Sequence, residues 1–169
     1  MNSHFLLEKL EDSEEFKKFK NENKDSYLCS GFFIIDLESK TPENKYHFDF
    51  YIPSKKKTFS FELEQGVKLV ELERFEENIL KEVSMKDNFD FEEIQEKILN
   101  EMAEKKVSNK IQKMIFSLQN VDGKDSLFGT IILSGLGLLK MTFDISEKKV
   151  DDFEKKSFFD MMKVVKRGI

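Results

Sequence analysis

The chain has 169 residues, of which 39% are hydrophobic and 36% are charged, and its net charge at pH 7 is −5. This length suits one domain or two small fused halves, and the apolar content is large enough for a folded core. The acidic balance disfavours nucleic-acid-binding proteins, which are usually basic, and the single cysteine excludes an internal disulfide framework. We therefore expect a folded protein of the reducing cytoplasm.

Targeting segments are not predicted. The start of the chain has neither a basic region nor a long apolar region, so we expect no secretory signal peptide. The longest apolar run, from Leu127 to Leu139, is interrupted by glycines and is too short to span a bilayer. We therefore expect no membrane span.

The first predicted element is helical and covers residues 3–22, with a break between residues 10 and 13. Asp12 is the candidate N-cap of the second piece, because Glu15 follows three residues later as in a capping box. Phe16 and Phe19 then share one face of the helix. This face is expected to pack on a sheet.

Three strands follow in the first half of the chain. The first, residues 27–37, is apolar on both faces and is typical of a central strand. In residues 46–52 and 59–64 apolar and polar residues alternate, which indicates antiparallel strands with one buried and one wet face. For residues 67–85 we predict a short extension of the sheet followed by a helix.

The second half repeats this order. Asp90 has the sequence context of an N-cap, and it predicts an amphipathic helix that runs to about Lys106. Three strands are predicted over about residues 110–145, and the Asp122-Gly123 pair is a strong hairpin signal between the first two. After Val150 the pattern returns to that of a helix.

These elements predict an α+β fold of antiparallel β-meanders with helices packed on one face. The order αβββ–αβββ–α indicates an internal duplication, with residues 1–86 as the first helix–meander unit and residues 87–169 as the second. A three-stranded sheet with one apolar face needs a cover, which each helix can supply. The two units could also form one compact domain.

The end of the second unit resembles a known family. The segment LLKMTFDISEKKV resembles the closing strand of a PepSY-type domain, in which a hairpin ends in an aspartate, a turn and a short return strand. Asp144 matches that aspartate, whereas Glu147-Lys148 stand where the family has a glycine. The segment SEEFKKFKNENKDSYLCSGFFIIDL resembles the start of uncharacterised small-genome archaeal proteins with a PepSY-like end.

PepSY-like units and the related β-lactamase inhibitor proteins are helix-plus-meander modules that often occur in tandem. The resemblance therefore implies this fold and a binding or inhibitory role. It provides no catalytic residues. PepSY domains are typically exported or attached to peptidases, whereas no export signal is predicted for this chain.

The hairpin of residues 126–140 carries the predicted interaction surface. Phe128, Ile132, Leu136 and Leu138 are expected on the sheet face opposite the core. An exposed apolar patch of this kind marks an interface with a protein partner or a second copy of the chain. The alternative is that the predicted C-terminal helix covers these residues.

An enzymatic or ligand-binding alternative depends on a cleft between helix and sheet. Asp36, His47 and Asp49 would have to converge there to support acid–base chemistry. Cys29 and His47 could form a nucleophile–base pair, but the sequence offers no third orienting group. His4 and His47 lack the spacing of metal ligands, so we predict no catalytic residues, no cofactor and no metal site.

A basic turn at Lys55–Lys57 and the basic C-terminus make RNA or ribosome association a further alternative. The acidic net charge disfavours it. No motif in the chain demands a particular chemistry, and a non-enzymatic role is therefore preferred. We predict a cytoplasmic, non-catalytic protein-binding module that is inhibitory or scaffolding.

Overall fold

The computed structural model describes residues 1–73 and 79–157. The elements form two groups along this part of the chain, and in each group one or two helices are followed by four strands. They are α1 (Ser3–Glu11), α2 (Glu14–Glu22), β1 (Tyr27–Asp36), β2 (Lys45–Ile52), β3 (Lys57–Glu62), β4 (Lys68–Leu72), α3 (Phe91–Glu104), β5 (Ile111–Val121), β6 (Lys124–Leu133), β7 (Gly137–Asp144) and β8 (Lys149–Ser157).

All eight of these strands form one sheet in the order β4-β3-β2-β1-β5-β6-β7-β8, and every neighbouring pair is antiparallel. The two meanders meet at the centre, where β1 pairs with β5 from Gly31–Leu118 to Asp36–Lys113. The predicted α+β class with antiparallel strands is therefore confirmed. Both halves of the chain contribute to one continuous sheet.

Each meander has four strands, where the sequence predicted three. The fourth strand of the first half, β4, is the predicted short extension of the sheet. The fourth strand of the second half, β8, occupies residues for which a helix was predicted. Its backbone pairs with β7 from Gly137–Ser157 to Asp144–Lys149, and this pairing prevails over the helical spacing of its few apolar residues. The rest of the predicted C-terminal helix lies outside the described residues.

The helix predicted after residue 72 is wrong for residues 79–83, which have no helical structure. Val83 instead donates its N–H to the Leu28 carbonyl at 2.8 Å and buries its side chain in the core. The side chain of Val83 is therefore buried without a helix, by a segment that is hydrogen-bonded to β1. Residues 74–78 lie outside the described residues.

The caps of the helices agree in part with the sequence. The predicted break is present, but Ser13 caps α2 by accepting from the Phe16 N–H, and Asp12 ends α1. Asp90 is the N-cap of α3 as predicted, because its carboxylate accepts from the N–H groups of Glu92 and Glu93. These caps satisfy N–H groups that a helix leaves without internal partners.

All three helices of the described residues lie on one face of the sheet, and aromatic rings dominate the core between them. Phe91 of α3 stacks on Phe116 of β5, with ring centroids 5.9 Å apart. Phe19 of α2 contacts Phe50 and Phe61 of β2 and β3 edge to face. The core is thus one aromatic layer that spans both meanders.

The segment between β4 and α3 changes sides of the sheet. Leu80 lines a concavity on the face without helices, whereas Val83 and Met85 belong to the helix-covered core. Asp125 of β6 anchors the crossing, because its carboxylate accepts from the N–H groups of Ser84 and Met85 and from the Ser84 hydroxyl. The crossing connects the two meanders.

The turn between β7 and β8 depends on Asp144. Its carboxylate accepts from the Glu147 N–H at 3.0 Å and the Ser146 hydroxyl at 2.9 Å, and it pairs with Lys124 at 3.2 Å. The hydrogen bond from the Glu147 N–H is the main cause that lowers the pKa of Asp144 to about 2. The side chain therefore fixes the turn in its charged form.

We expect Asp144→Asn to remove part of the stability that the protein loses in acid. The folded-state pKa lies below the ordinary value of 3.8, so the stabilisation is complete above about pH 4 and is lost as the pH falls toward 2. Water still reaches this half-buried carboxylate and limits the effect to the order of 1 kcal/mol. Urea unfolding at several pH values measures it, and an unchanged acid slope in Asp144→Asn would contradict the assignment.

Candidate functional site

The face of the sheet opposite the helices, here called the open face, carries an apolar stripe at its centre. Phe32 and Phe128 are 37% and 38% exposed, respectively. Half-buried aliphatic side chains surround them on the same face. These are Ile34, Ile115, Ile132 and Leu138. An apolar surface at the middle of a sheet face that no helix of residues 1–73 and 79–157 covers is unusual for an antiparallel sheet, whose wet face is normally polar.

The predicted interaction residues occupy this region. Ile132 pairs with Lys113 on one side and Leu138 on the other, and its neighbour Ile131 is fully buried in the core. Leu136 lies at the tip of the β6–β7 turn, where it is 62% exposed. Phe128, Ile132 and Leu138 thus share the open face, and Leu136 projects from its end.

A concavity of about 590 Å³ lies on the open face over the first meander. Polar groups of several strands and Leu80 of the crossing segment surround it. The residues that line it are Ser30, Gly31, Phe32, His47, Asp49, Ser60, Leu72, Glu73, Leu80, Ser117 and Gln119. A second concavity of about 430 Å³ lies over the second meander, between Phe128, Lys140 and Glu154.

Two residues of the predicted cleft, His47 and Asp49, line the larger concavity. Asp49 is 8% exposed, and it accepts a hydrogen bond of 2.8 Å from the Ser30 hydroxyl of the neighbouring strand. His47 Nε2 lies 2.5 Å from Glu64 Oε1 and is thus engaged with a carboxylate. The cleft forms on the open face, whereas the sequence analysis expected it between helix and sheet.

Asp36 does not join His47 and Asp49. Its carboxylate accepts from the N–H groups of Glu38 and Ser39 and fixes the loop after β1. Hydrogen bonds from the Ser39 hydroxyl and from these N–H groups lower the pKa of Asp36 to about 2. A carboxylate held in its charged form by a loop is a structural cap. The convergence on which the enzymatic alternative depends therefore does not include Asp36.

The other sequence candidates have structural partners. The thiol of Cys29 is 1% exposed and donates to the Asp49 carbonyl at 3.4 Å, as a small buried side chain does. In the basic turn, Lys55 donates to Asn23 at 2.7 Å and Lys57 pairs with Glu71 at 3.3 Å. The carboxylate of Glu71 therefore offsets the charge of Lys57, whereas Lys55 keeps its charge and is held by a neutral amide.

Sequence reasoning missed Glu62 and Glu64. Cross-strand pairing places Glu62 opposite His47 on the open face, and the chain after β3 brings Glu64 back to the same imidazole. The ligating atoms of His47, Glu62 and Glu64 lie within 4.8 Å of one another. The alternation of β2 and β3 predicted that His47 and Glu62 share a face, but the register of the strands was needed to bring them together.

Comparison with known proteins gives a fold and no family. No family model matches the chain, and no curated protein matches it. The crystal structure of a putative lipoprotein from Clostridium difficile 630 is similar, with a TM-score of 0.52 and 14% sequence identity over 84% of this chain and 90% of that one. At this identity the similarity concerns the arrangement of helices and strands alone.

Within residues 1–73 and 79–157, no helix is both long and apolar enough to cross a membrane. The longest, α3, has 14 residues and carries charged side chains on its outer face.

Proposed function

We propose that this chain is a non-catalytic protein-binding module that acts through the open face of its sheet. The observation that carries the proposal is the apolar stripe around Phe32, Phe128 and Ile132 on a face that no helix of the described residues covers. Burial of the remaining exposed part of this stripe against a partner is favourable, because apolar surface removed from water contributes about 25 cal/mol per Å².

The size of the open face suits a folded partner. Eight strands spaced about 4.8 Å apart make the sheet about 34 Å wide, and strands of about eight residues make it about 26 Å long. The resulting area of about 900 Å² is similar to the roughly 800 Å² that each partner buries in a standard interface. A single peptide strand would cover only a small part of it.

The edges of the sheet are less suited to binding than its face. The edge strand β4 has only 5 residues, and the opposite edge strand β8 reads KVDDFEKKS. Short and strongly charged edge strands resist the addition of a further strand. A partner is therefore expected to contact side chains of the open face.

A second copy of this chain is the partner that we propose. The open face of the second meander carries both signs of charge around the apolar stripe, with Lys140 and Lys156 beside Asp151 and Glu154. A two-fold arrangement brings the same patch of both copies together, so that basic groups of one can meet acidic groups of the other. The apolar stripes would then be buried at the centre.

The test is the mass of the purified full chain by light scattering over a range of concentrations. We expect twice the chain mass of 20.0 kDa for the wild type. Ile132→Asp would place a charge in the apolar centre, and we expect it to raise the dissociation constant of the dimer at least about tenfold. The matched control is Leu99→Asp, which changes a 45% exposed leucine on the outer side of α3.

A wild-type monomer at every concentration would overturn the homodimer, and so would a dimer that Ile132→Asp leaves intact. A dimer lost in both variants would also contradict the proposal, because Leu99 lies on the helix side of the molecule. Circular dichroism of each variant separates loss of association from loss of folding. A dimer lost only in Ile132→Asp supports the proposal.

A second candidate function is the binding of a small ligand in the larger concavity. Its volume of about 590 Å³ lies within the range of ligand pockets, which is about 300–1,000 Å³, and Asp49 and His47 supply polar groups. Nuclear magnetic resonance with a panel of small polar compounds tests it. Shifts confined to the amides of Ser30, Phe32 and Ser60 would favour this function over the dimer.

Three further predictions belong to this proposal. The internal duplication would make β1–β4 and β5–β8 copies of one meander, and the mirrored strand order supports it.

The PepSY-like relationship would make Asp144 a turn residue that this chain shares with that family. The cytoplasmic location is tested by cell fractionation, since the structural neighbour from Clostridium difficile 630 is described as a putative lipoprotein.

A further inference from the structure

We propose that His47, Glu62 and Glu64 form a binding site for a divalent transition-metal ion, with zinc as the preferred ion. This inference rests on different residues from those that carry the proposed dimer. It starts from three ligating atoms, one imidazole nitrogen and two carboxylate oxygens, that lie within 4.8 Å of one another. They come from two adjacent strands and the residues that follow β3.

The backbone holds these three side chains in place. His47 and Glu62 are direct cross-strand partners in the β2–β3 ladder. Glu64 is fixed next to them, because its Oε1 accepts a hydrogen bond of 3.1 Å from the Tyr46 N–H. The Leu63 N–H also donates to the Tyr46 carbonyl at 3.0 Å and continues the pairing of the strands up to Glu64. The ligands therefore need only side-chain rotation to close on an ion.

The distances are compatible with tetrahedral coordination. Bonds of about 2.0–2.1 Å place neighbouring ligands of a tetrahedral zinc ion about 3.3 Å apart. His47 Nε2 and Glu64 Oε1, 2.5 Å apart, would separate slightly, whereas the most distant pair would approach from within 4.8 Å. The second carboxylate oxygen of Glu64 provides an alternative ligand atom, so that Oε1 can keep its hydrogen bond to the Tyr46 N–H.

The surrounding charges favour a cation. His47 and Glu64 have side chains that are 18% and 25% exposed, so their field is only partly screened by water. Lys68 is the cross-strand neighbour of Glu62, but no lysine of the described residues forms an ion pair with Glu62 or Glu64. Two carboxylates would balance the charge of a divalent ion.

The ligand set selects the type of metal. An imidazole with two carboxylates suits zinc and related transition metals, whereas calcium and magnesium prefer oxygen ligands alone. Three protein ligands leave the fourth tetrahedral position to water. His47 also lines the concavity of about 590 Å³, which gives such a water access to the open face.

Isothermal titration of the full chain with zinc chloride tests the site, because the chain has only two histidines. We expect one zinc ion per chain and a loss of affinity of at least about tenfold in His47→Ala. His4→Ala is the matched control, since His4 is exposed on α1 and is not part of the cluster. Glu64→Gln should weaken binding while it preserves the size of the side chain.

Cobalt provides a spectroscopic readout of the site that does not depend on the heat of binding. We expect cobalt to give the visible absorption of a tetrahedral ion in the wild type and in His4→Ala, and to lose it in His47→Ala. Binding should also weaken in acid, because a protonated imidazole cannot coordinate a metal. Thermal unfolding of each metal-free variant shows whether it is folded.

Three outcomes would overturn the site: no zinc binding by the wild type, equal affinity in His47→Ala, or loss of binding in His4→Ala. Equal affinity for magnesium and zinc would also contradict it, because carboxylates alone would then explain the binding. Zinc binding lost only in the cluster variants supports the site.

Discussion

Phe33→Ala is expected to lower the free energy of unfolding by about 3–5 kcal/mol. Phe33 is fully buried at the junction of the two meanders, where its ring contacts those of Phe48, Phe89 and Phe91 at centroid distances of 5.5, 5.9 and 5.3 Å. Truncation removes these contacts and leaves a cavity. The surrounding backbone is held in the sheet and cannot move in to close this cavity. A domain is typically stable by only about 5–15 kcal/mol, so a large part of its stability would be lost.

Urea unfolding followed by circular dichroism measures this change, and Phe32→Ala is its matched control. Phe32 is the next residue on the same strand, but it is 37% exposed on the open face. We expect its replacement to cost about 1–2 kcal/mol, because the side chain is only partly buried and its truncation leaves no enclosed cavity. Equal losses in the two variants would contradict the assignment of the two faces of β1.

Asp125→Ala is expected to lower the free energy of unfolding by about 1–3 kcal/mol. The half-buried carboxylate of Asp125 accepts from the Ser84 hydroxyl at 2.8 Å and from the Met85 N–H at 2.9 Å. It also accepts from the Ser84 N–H. Alanine would leave these donors of the crossing segment without their acceptor, and the segment would detach from the start of β6.

Hydrogen exchange of the amides of Ser84 and Met85 locates the effect. We expect exchange at both to accelerate in Asp125→Ala, and Asp125→Asn to recover part of the protection because its side-chain oxygen can still accept. Asp87→Ala is the control, since Asp87 lies exposed in the same segment. Acceleration in Asp87→Ala alone would show that the crossing is held in another way.

Local signals in the sequence predicted the elements whose structure depends on neighbouring residues. The cap at Asp90 and the apolar spacing of α3 identified the helix almost to its ends. The alternation in residues 46–52 identified the buried face of β2, on which Phe48, Phe50 and Ile52 lie. Asp122-Gly123 marked the turn between β5 and β6, where both residues have positive φ angles. Each of these signals acts over a few residues.

Elements that depend on distant partners could not be found in this way. Residues 149–157 are charged and weakly periodic, and only the neighbouring strand β7 makes them a strand. The segment around Val83 has helical spacing, yet its hydrogen bond goes to Leu28, far away in the sequence. In both cases tertiary pairing prevailed over a weak local preference.

The sequence by itself determined the α+β class, the antiparallel meanders and the apolar residues of the hairpin around Ile132, because these follow from side-chain periodicity. Only the tertiary structure decided that the meanders share one sheet, that Asp36 caps a loop, and that Glu62 and Glu64 meet His47. The physical reason is that strand register and chain reversal bring together groups that no local pattern connects.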